Sequence, residues 1–314
     1  VVKVKSRVKD VLTLQELTKE DILDIISLAY NLKLEFYSGK RIVPLLHGKT
    51  LAMIFQKPST RTRISFENAM YQLGGYALYL SWNELQLGRG ETIADTARVL
   101  SRYVDGIMAR VYSHKDIEEL AKYSTVPVIN GLSDLHHPCQ ALSDLLTIWE
   151  KKRRLEGIKL AYVGDGNNVC NSLLIATTKV GMNIAVATPK KYRPPDQVVK
   201  MAEENAAESG SEIVLTEDPQ EAVSGADVVY TDVWISMGFE KEAEERMKVF
   251  KPYQVNSQLM ERAKKDAIFM HCLPAKRGLE VTDEVIDGPR SVVWDQAENR
   301  LHAQKALLAV LLRG

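Results

Sequence analysis

Five consecutive residues, Ser59-Thr60-Arg61-Thr62-Arg63, combine three hydroxyls with two guanidinium groups between an apolar run at 51–55 and an amphipathic stretch at 64–73. A strand that delivers such side chains to a helix N-terminus makes an anion site. Backbone N–H groups and the positive end of the helix dipole favour phosphate or carboxylate there. Arginine adds paired donors matched to phosphate geometry. The simpler reading is a helix cap, since Ser and Thr are common N-caps and Pro58 can stop the strand.

Polar side chains recur at other strand ends. Arg110 closes the apolar run 107–110 and would stand at a strand tip facing the Ser59 loop; alone it reads as a solvated arginine. His136-His137-Pro138-Cys139-Gln140 precedes a helical pattern, with Pro138 suited to the first turn. A capping histidine is the plain alternative, but a neutral imidazole and an amide can both donate to a carbonyl oxygen. In Gly164-Asp165-Gly166-Asn167-Asn168, Val169 fills the third glycine position of GxGxxG, so a small polar ligand fits better than a nicotinamide cofactor. Asp232-Val233-Trp234-Ile235-Ser236-Met237-Gly238 sets an aspartate at a strand tip, where it can also serve as an N-cap. Trp234 and Met237 after it suggest a loop that closes on substrate, hinged at Gly238. Met270-His271-Cys272-Leu273-Pro274 ends another strand, where a free cysteine reads as structural and nothing marks a covalent nucleophile.

These loops need a scaffold that brings them together. Strand patterns at 51–55, 76–81, 106–111 and 126–130 alternate with helical ones at 62–73, 92–103 and 115–123. The second half repeats the rhythm, with strands at 159–163, 183–187, 212–215, 227–231, 267–270 and 291–294 and helices near 172–179, 197–209 and 256–264. Such alternation implies right-handed βαβ units and parallel sheets. The expected fold is therefore α/β, two doubly wound parallel-sheet domains joined by long interdomain helices at 138–152 and 297–312. Ligands in such folds bind outside the carboxyl ends of the strands, and a cleft between two domains would collect those ends.

Composition narrows the function classes. Lys plus Arg and Asp plus Glu each number 41, so no global basic field draws in nucleic acid and anion recognition must be local. No apolar run approaches the ~20 residues of a membrane span, and the first residues carry no signal-peptide pattern, which points to a soluble, cytoplasmic protein. Three widely spaced cysteines suit a reducing compartment, and no CxxC or HExxH metal spacing occurs.

Taken in order, Ser59-Thr60-Arg61-Thr62, Arg110, His137-Pro138-Cys139-Gln140, the Asn167-Asn168 pair, Asp232 with Ser236-Met237-Gly238, and His271-Cys272-Leu273-Pro274 resemble the ornithine carbamoyltransferases over nearly the whole chain. The resemblance implies transfer of the carbamoyl group of carbamoyl phosphate to the δ-amino group of L-ornithine, without metal or organic cofactor. It implies a carbamoyl phosphate domain at 1–136, completed by 297–314, and an ornithine domain at 137–296. By that likeness Ser59, Thr60, Arg61 and Thr62 hold phosphate, while Arg110, His137 and Gln140 surround the carbamoyl group and stabilise its oxyanion. Loss of one such donor typically costs ~10²–10³ in rate. Pro138, Cys139, Arg300 and the backbone at Cys272-Leu273 join the carbamoyl phosphate set, and Gln86 reaches a neighbouring subunit's site, which implies at least a trimer. Asn168 matches the ornithine carboxylate partner, Asp232 the α-ammonium partner, and Ser236 and Met237 complete the pocket. Cys272 and Asp232 are both candidates to take the δ-ammonium proton. Lys276 and Cys170-Asn171 depart from residues frequent among microbial members, though none is assigned to substrate. Rival readings are another acceptor, such as putrescine or aspartate, and a non-catalytic carbamoyl phosphate sensor.

Overall fold

The computed structural model describes residues 8–235 and 240–313. The chain divides into two compact units: unit 1, Val1–Leu146 with Glu298–Gly314, and unit 2, Thr147–Ala297. In order, the elements of unit 1 are α1 (Lys19–Tyr37), β1 (Thr50–Phe55), α2 (Thr60–Gln72), β2 (Tyr76–Ser81), α3 (Ile93–Leu100), β3 (Gly106–Arg110), α4 (His114–Tyr123), β4 (Val128–Leu132) and the start of α5 (Pro138–Lys152). Unit 2 carries β5 (Lys159–Val163), α6 (Asn168–Lys179), β6 (Asn183–Ala187), α7 (Asp196–Ser209), β7 (Ile213–Thr216), α8 (Pro219–Val223), β8 (Val228–Thr231), α9 (Ala243–Phe250), α10 (Ser257–Met260), β9 (Ile268–His271) and α11 (Asp283–Ile286). The last helix, α12 (Val293–Leu312), begins in unit 2 and ends in unit 1.

Both sheets are wholly parallel, in the order β2-β1-β3-β4 in unit 1 and β7-β6-β5-β8-β9 in unit 2. Parallel strands need helical crossovers, and helices on the sheet faces bury both sides of the central strands. Accordingly β1 is buried from Leu51 to Phe55, β3 throughout and β8 throughout, whereas β2 at the edge is half-exposed. The unit 1 core includes Ala52, Ile54, Ile107, Ala109, Ile117 and Leu120; that of unit 2 includes Val163, Val229, Phe250, Phe269 and Val293. Helix α6 is buried from Val169 to Thr178, and its hydroxyls at Thr177 and Thr178 bond back to Leu173 and Leu174 carbonyls, which satisfies them inside the core.

Three sequence expectations change. The strand expected at 291–294 is absent: Ser291 makes a single bridge to Phe269, Val292 N–H reaches Phe269 O, and α12 starts at Val293. The helix expected at 256–264 shortens to α10, capped by Asn256. Helix α1, absent from the sequence reading, is set by a capping box in which Thr18 and Asp21 bond each other's backbone N–H groups, and it buries Ile22, Ile25, Ile26, Ala29 and Leu32.

Phe269 sits fully buried on β9 within the unit 2 core. Phe269→Ala is expected to lower unfolding stability by ~3–5 kcal/mol, read from the urea midpoint at constant m-value. A change under about 1 kcal/mol would show that this face of β9 is loosely packed.

Candidate active site

In each unit the strand order reverses once, between β1 and β3 and between β5 and β8; the Ser59 and Asn167 loops follow β1 and β5, Arg110 ends β3, Asp232 follows β8, and His137 and Cys272 follow the neighbouring strands β4 and β9. Diverging connections at such a reversal leave a crevice beyond the strand ends.

In unit 1, Phe55 and Arg110 are register partners at the ends of β1 and β3, and Gln56 N–H bonds Arg110 O. Pro58 stops β1. Ser59 is then the N-cap of α2, its Oγ accepting from Thr62 N–H at 3.2 Å, so the cap reading and the anion reading describe one structure. Arg61 stays half-exposed on the first turn. Arg63 points away, ion-paired to Glu67 at 2.9 Å and lying over the Tyr79 ring. The buried Lys57 ammonium lies over Tyr112, 4.4 Å from its ring centre.

Arg300, His137 and Gln140 gather near this turn. Arg300 is buried and donates to Gln140 Oε1 at 2.9 Å and to Thr62 Oγ1 at 3.2 Å. With its amide oxygen facing the guanidinium, Gln304 accepts from Arg300 Nε at 3.1 Å and Nη2 at 2.9 Å, and its nitrogen donates to Ser65 Oγ. Gln140 Nε2 in turn donates to Asp144 Oδ1 at 2.9 Å. His137 is buried, and its pKa lies well below the usual histidine value, first because burial penalises the imidazolium and then because Arg300, Arg110 and Arg61 repel it. It is therefore a neutral hydrogen-bonding group at pH 7. Cys139 turns its thiol to Asn130 O, and burial pushes that thiol up to about 12, which leaves only its backbone for a ligand.

In unit 2, Asp232 comes directly after β8. Its Oδ2 accepts from Asn167 Nδ2 at 2.7 Å, and its Oδ1 from Val233 N–H at 2.8 Å and from Cys272 Sγ at 3.0 Å. Asn167 also caps α6 by accepting from Val169 and Cys170 N–H, and Tyr162 Oη donates to the same oxygen. Asn168, half-buried, opens that helix. The Cys272 loop is held by His271, whose Nδ1 accepts from Leu273 N–H at 2.8 Å while Nε2 meets Glu280 at 3.1 Å. The ligand atoms of Asp232, His271 and Cys272 lie within 4.8 Å of one another. Both imidazole nitrogens are already engaged, so hydrogen bonds organise this trio.

Glycine in the 164–168 loop has a packing reason. A Cβ on Gly166 would come within 2.5 Å of Tyr192 O and Pro194 N. The glycine thus admits neighbouring backbone rather than a pyrophosphate.

Trp234 corrects the loop reading, since it is buried in the unit 2 core and stacks on Phe250 at 6.1 Å. Its carbonyl accepts from Arg246, which also pairs with Asp165 at 2.8 Å and Glu242 at 3.0 Å. Burial raises Asp165 to about 6 against the pull of Arg246. Ser236, Met237 and Gly238 lie outside the described residues. Gln86 is exposed at the start of a short turn. The sequence reading grouped Asn167 with Asn168 as amides for a small polar ligand, did not pair it with Asp232, and assigned no role to Asp144 or Gln304. Their signals were a cap position for Asn167 and i, i+4 spacing from Gln140 and Arg300 for the other two.

Comparison with known proteins places this geometry. The family described as aspartate/ornithine carbamoyltransferase matches twice: its carbamoyl-P binding domain over residues 9–150 and its Asp/Orn binding domain over residues 156–311. The chain is 65% identical over 314 residues to an ornithine carbamoyltransferase of Pyrococcus horikoshii, covering 100% of this chain and 98% of the relative. It is 65% identical over 306 residues to one from Pyrococcus furiosus described as anabolic, covering 98% and 97%. The solved structure of ornithine carbamoyltransferase from Pyrococcus furiosus superposes with a TM-score of 0.95 at 64% identity, covering 100% of this chain and 99% of that one.

The buried histidines carry a pH signature. His136 packs edge-on against His114 at 5.3 Å, and burial, then His114, lowers its pKa to about 3. An unfolded chain would bind this proton near pH 6.5 and the native one would not. Stability is therefore full above pH 6.5 and is lost as pH falls toward 3. The unfolding free energy should fall as pH drops from 7 to 5, and His136→Gln should remove up to about 1.4 kcal/mol per pH unit of that slope below pH 6.5. Parallel slopes in denaturant melts of the two proteins would refute this.

Proposed function

The chain belongs to the aspartate/ornithine carbamoyltransferase family, and from that premise we propose that it transfers the carbamoyl group of carbamoyl phosphate to the δ-amino group of L-ornithine, yielding L-citrulline and phosphate in the anabolic direction. The observation that carries the acceptor assignment is the Asp232 carboxylate at the end of β8, surrounded by the neutral donors Asn167, Val233 N–H and Cys272. It is an anionic post for an α-ammonium group. An aspartate acceptor would need extra cations against its second carboxylate, and putrescine has no amino acid head to engage Asn168 and Asp232.

Carbamoyl phosphate places its phosphate against Ser59, Thr60, Arg61 and Thr62 at the start of α2. Arg110, His137 and Gln140 take the carbamoyl group. The neutral δ-amine attacks the carbonyl carbon, the oxyanion gathers the donors of Arg110 and His137, and the C–O bond to phosphate then breaks. Because His137 is neutral, it aids by donating a hydrogen bond rather than by giving up a charge-bearing proton. The δ-ammonium proton goes to Asp232, either directly or through Cys272, whose thiol passes its own proton to the Asp232 carboxylate as it takes the new one. Arg300 contributes charge while its donors hold Gln140, Thr62 and Gln304. Pro138, Cys139 and Cys272-Leu273 contribute backbone, and Ser236 and Met237 complete the ornithine pocket. The carbamoyl phosphate domain, expected at 1–136 with 297–314, corresponds to unit 1, which also holds residues 137–146, and the acceptor domain, expected at 137–296, corresponds to unit 2.

We place the enzyme in the cytoplasm as at least a trimer with sites shared between subunits, without metal or organic cofactor. In support of assembly, Ile64, Tyr71 and Tyr76 are exposed on α2 and the β2 edge, and Gln86 is exposed for a neighbour's site. Among the described residues no helix is long and apolar enough to cross a membrane.

The test is product formation with ornithine, putrescine and aspartate run in parallel, with phosphate release monitored in each. Preference for ornithine is expected. Release with another acceptor would move the acceptor assignment, and binding without turnover would favour a sensor. Arg61→Ala should weaken carbamoyl phosphate binding by ~1.5–3 kcal/mol, the worth of a hydrogen bond to a charged group; unchanged affinity by calorimetry would remove Arg61 from the site. Asp232→Asn should cost ornithine more affinity than carbamoyl phosphate, whereas equal losses would make Asp232 structural.

A further inference from the structure

We propose that Asp144 and Gln304 are positioning residues for carbamoyl transfer, acting through Gln140 and Arg300 to fix which end of the Gln140 amide faces each partner; this rests on the reading that Gln140 contacts the carbamoyl group. An amide has two ends of nearly equal size and opposite hydrogen-bonding character, so its shape alone does not orient it. Here its neighbours do. Arg300 can only donate and meets Gln140 Oε1 at 2.9 Å, while Asp144 Oδ1 accepts from Nε2 at 2.9 Å. Turning the amide over would set NH₂ against the guanidinium and oxygen against the carboxyl oxygen. The orientation is thus decided inside unit 1 and needs no substrate.

Asp144 lies four residues after Gln140 on α5, so the two face each other across one helical turn, and it is 0% exposed. Gln304 lies four residues after Arg300 on α12 and is also 0% exposed. Its oxygen holds Nε and Nη2 of Arg300, and its nitrogen donates to Ser65 Oγ, which donates in turn to Thr62 O at 3.2 Å. Thr62 receives Arg300 through its own hydroxyl at 3.2 Å. One hydrogen-bonded chain therefore runs from Asp144 through Gln140, Arg300 and Gln304 to the first turn of α2. It ties the residue placed at the carbamoyl group to the turn placed at the phosphate. Each of these donors meets an acceptor, and neither Asp144 nor Gln304 has a solvent route to exchange its partner.

A double-mutant cycle separates positioning from mere support of the fold. Asp144→Ala is expected to lower kcat/KM for carbamoyl phosphate by about tenfold or more, the factor that one lost hydrogen bond to a charged partner carries. In a Gln140→Ala background the same change should cost less than about twofold, because the group it positions is gone. Asp144→Asn, which keeps shape and an acceptor, should restore most of the activity. Gln304→Leu is run through the same cycle, so the inference stands or falls even where Asp144→Ala yields no folded enzyme. Equal losses in both backgrounds, or no loss in the native one, would overturn it. A Gln140→Ala enzyme with native kinetics would instead remove Gln140 from the site, a failure of the functional reading that this cycle tells apart.

Discussion

A guanidinium buried among amide and hydroxyl oxygens is the constraint on which the unit 1 site depends. Arg300 is 3% exposed, and the acceptors around it on α2, α5 and α12 include Thr62, Gln140 and Gln304. A salt bridge to an adjacent carboxylate would satisfy the desolvated cation but would also cancel its field. The neutral oxygens of Gln140, Thr62 and Gln304 accept from its N–H groups without cancelling the positive charge. That charge, with burial, is what holds His137 unprotonated beside Arg110 and Arg61. A protonated His137 would add a fourth cation beside Arg300, Arg110 and Arg61, and burial weakens the solvent screening of that repulsion.

Unit 2 solves the mirror-image problem. Its ion is the Asp232 carboxylate, 5% exposed, and its partners are an amide, a backbone N–H and a thiol. None is a cation. The carboxylate is desolvated in place, oriented by three donors, and still carries a negative charge that a ligand's ammonium can meet. Arg246, the buried cation of this unit, is engaged elsewhere by Asp165, Glu242 and the Trp234 carbonyl. Asp165 draws that cation away from Asp232, and the cost of burying it shows in its raised pKa.

The sequence carried the βα rhythm well where burial on both sheet faces makes strands continuously apolar. Strands 159–163 and 183–187 begin and end where expected. It failed where tertiary pairing overrides local pattern. Ser291-Val292 pairs with Phe269 for only two residues before α12 begins, although its Val-rich run reads as a strand. Trp234 read as part of a loop that closes on substrate because a large apolar residue follows a strand end there, whereas in space it meets Phe250 from a helix sixteen positions on. Ser59, Arg110 and Asp232 were legible because strand-end position is a local property. Asn167 as a partner of Asp232, and Asp144 and Gln304 behind Gln140 and Arg300, were not, because a buried polar residue is chosen by a partner that only the fold identifies.

Both sites sit at a strand-order reversal beside a helix N-terminus, yet the two termini are treated differently, and that difference assigns each its ligand. At α2 the cap Ser59 takes the Thr62 amide, and hydroxyl and guanidinium side chains share the same turn. The dipole's positive end and the added cations then sum, and an incoming anion is favoured. At α6 the cap Asn167 takes two amides, of Val169 and Cys170, through its oxygen and turns its nitrogen onto Asp232. The helix end there is met by a resident carboxylate instead of being left for an anion. One unit is thereby built to receive negative charge and the other to present it. A reaction between a phosphorylated donor and an amino acid carrying an ammonium needs sites of opposite charge, and the loop residues at the strand ends of the two sheets carry them.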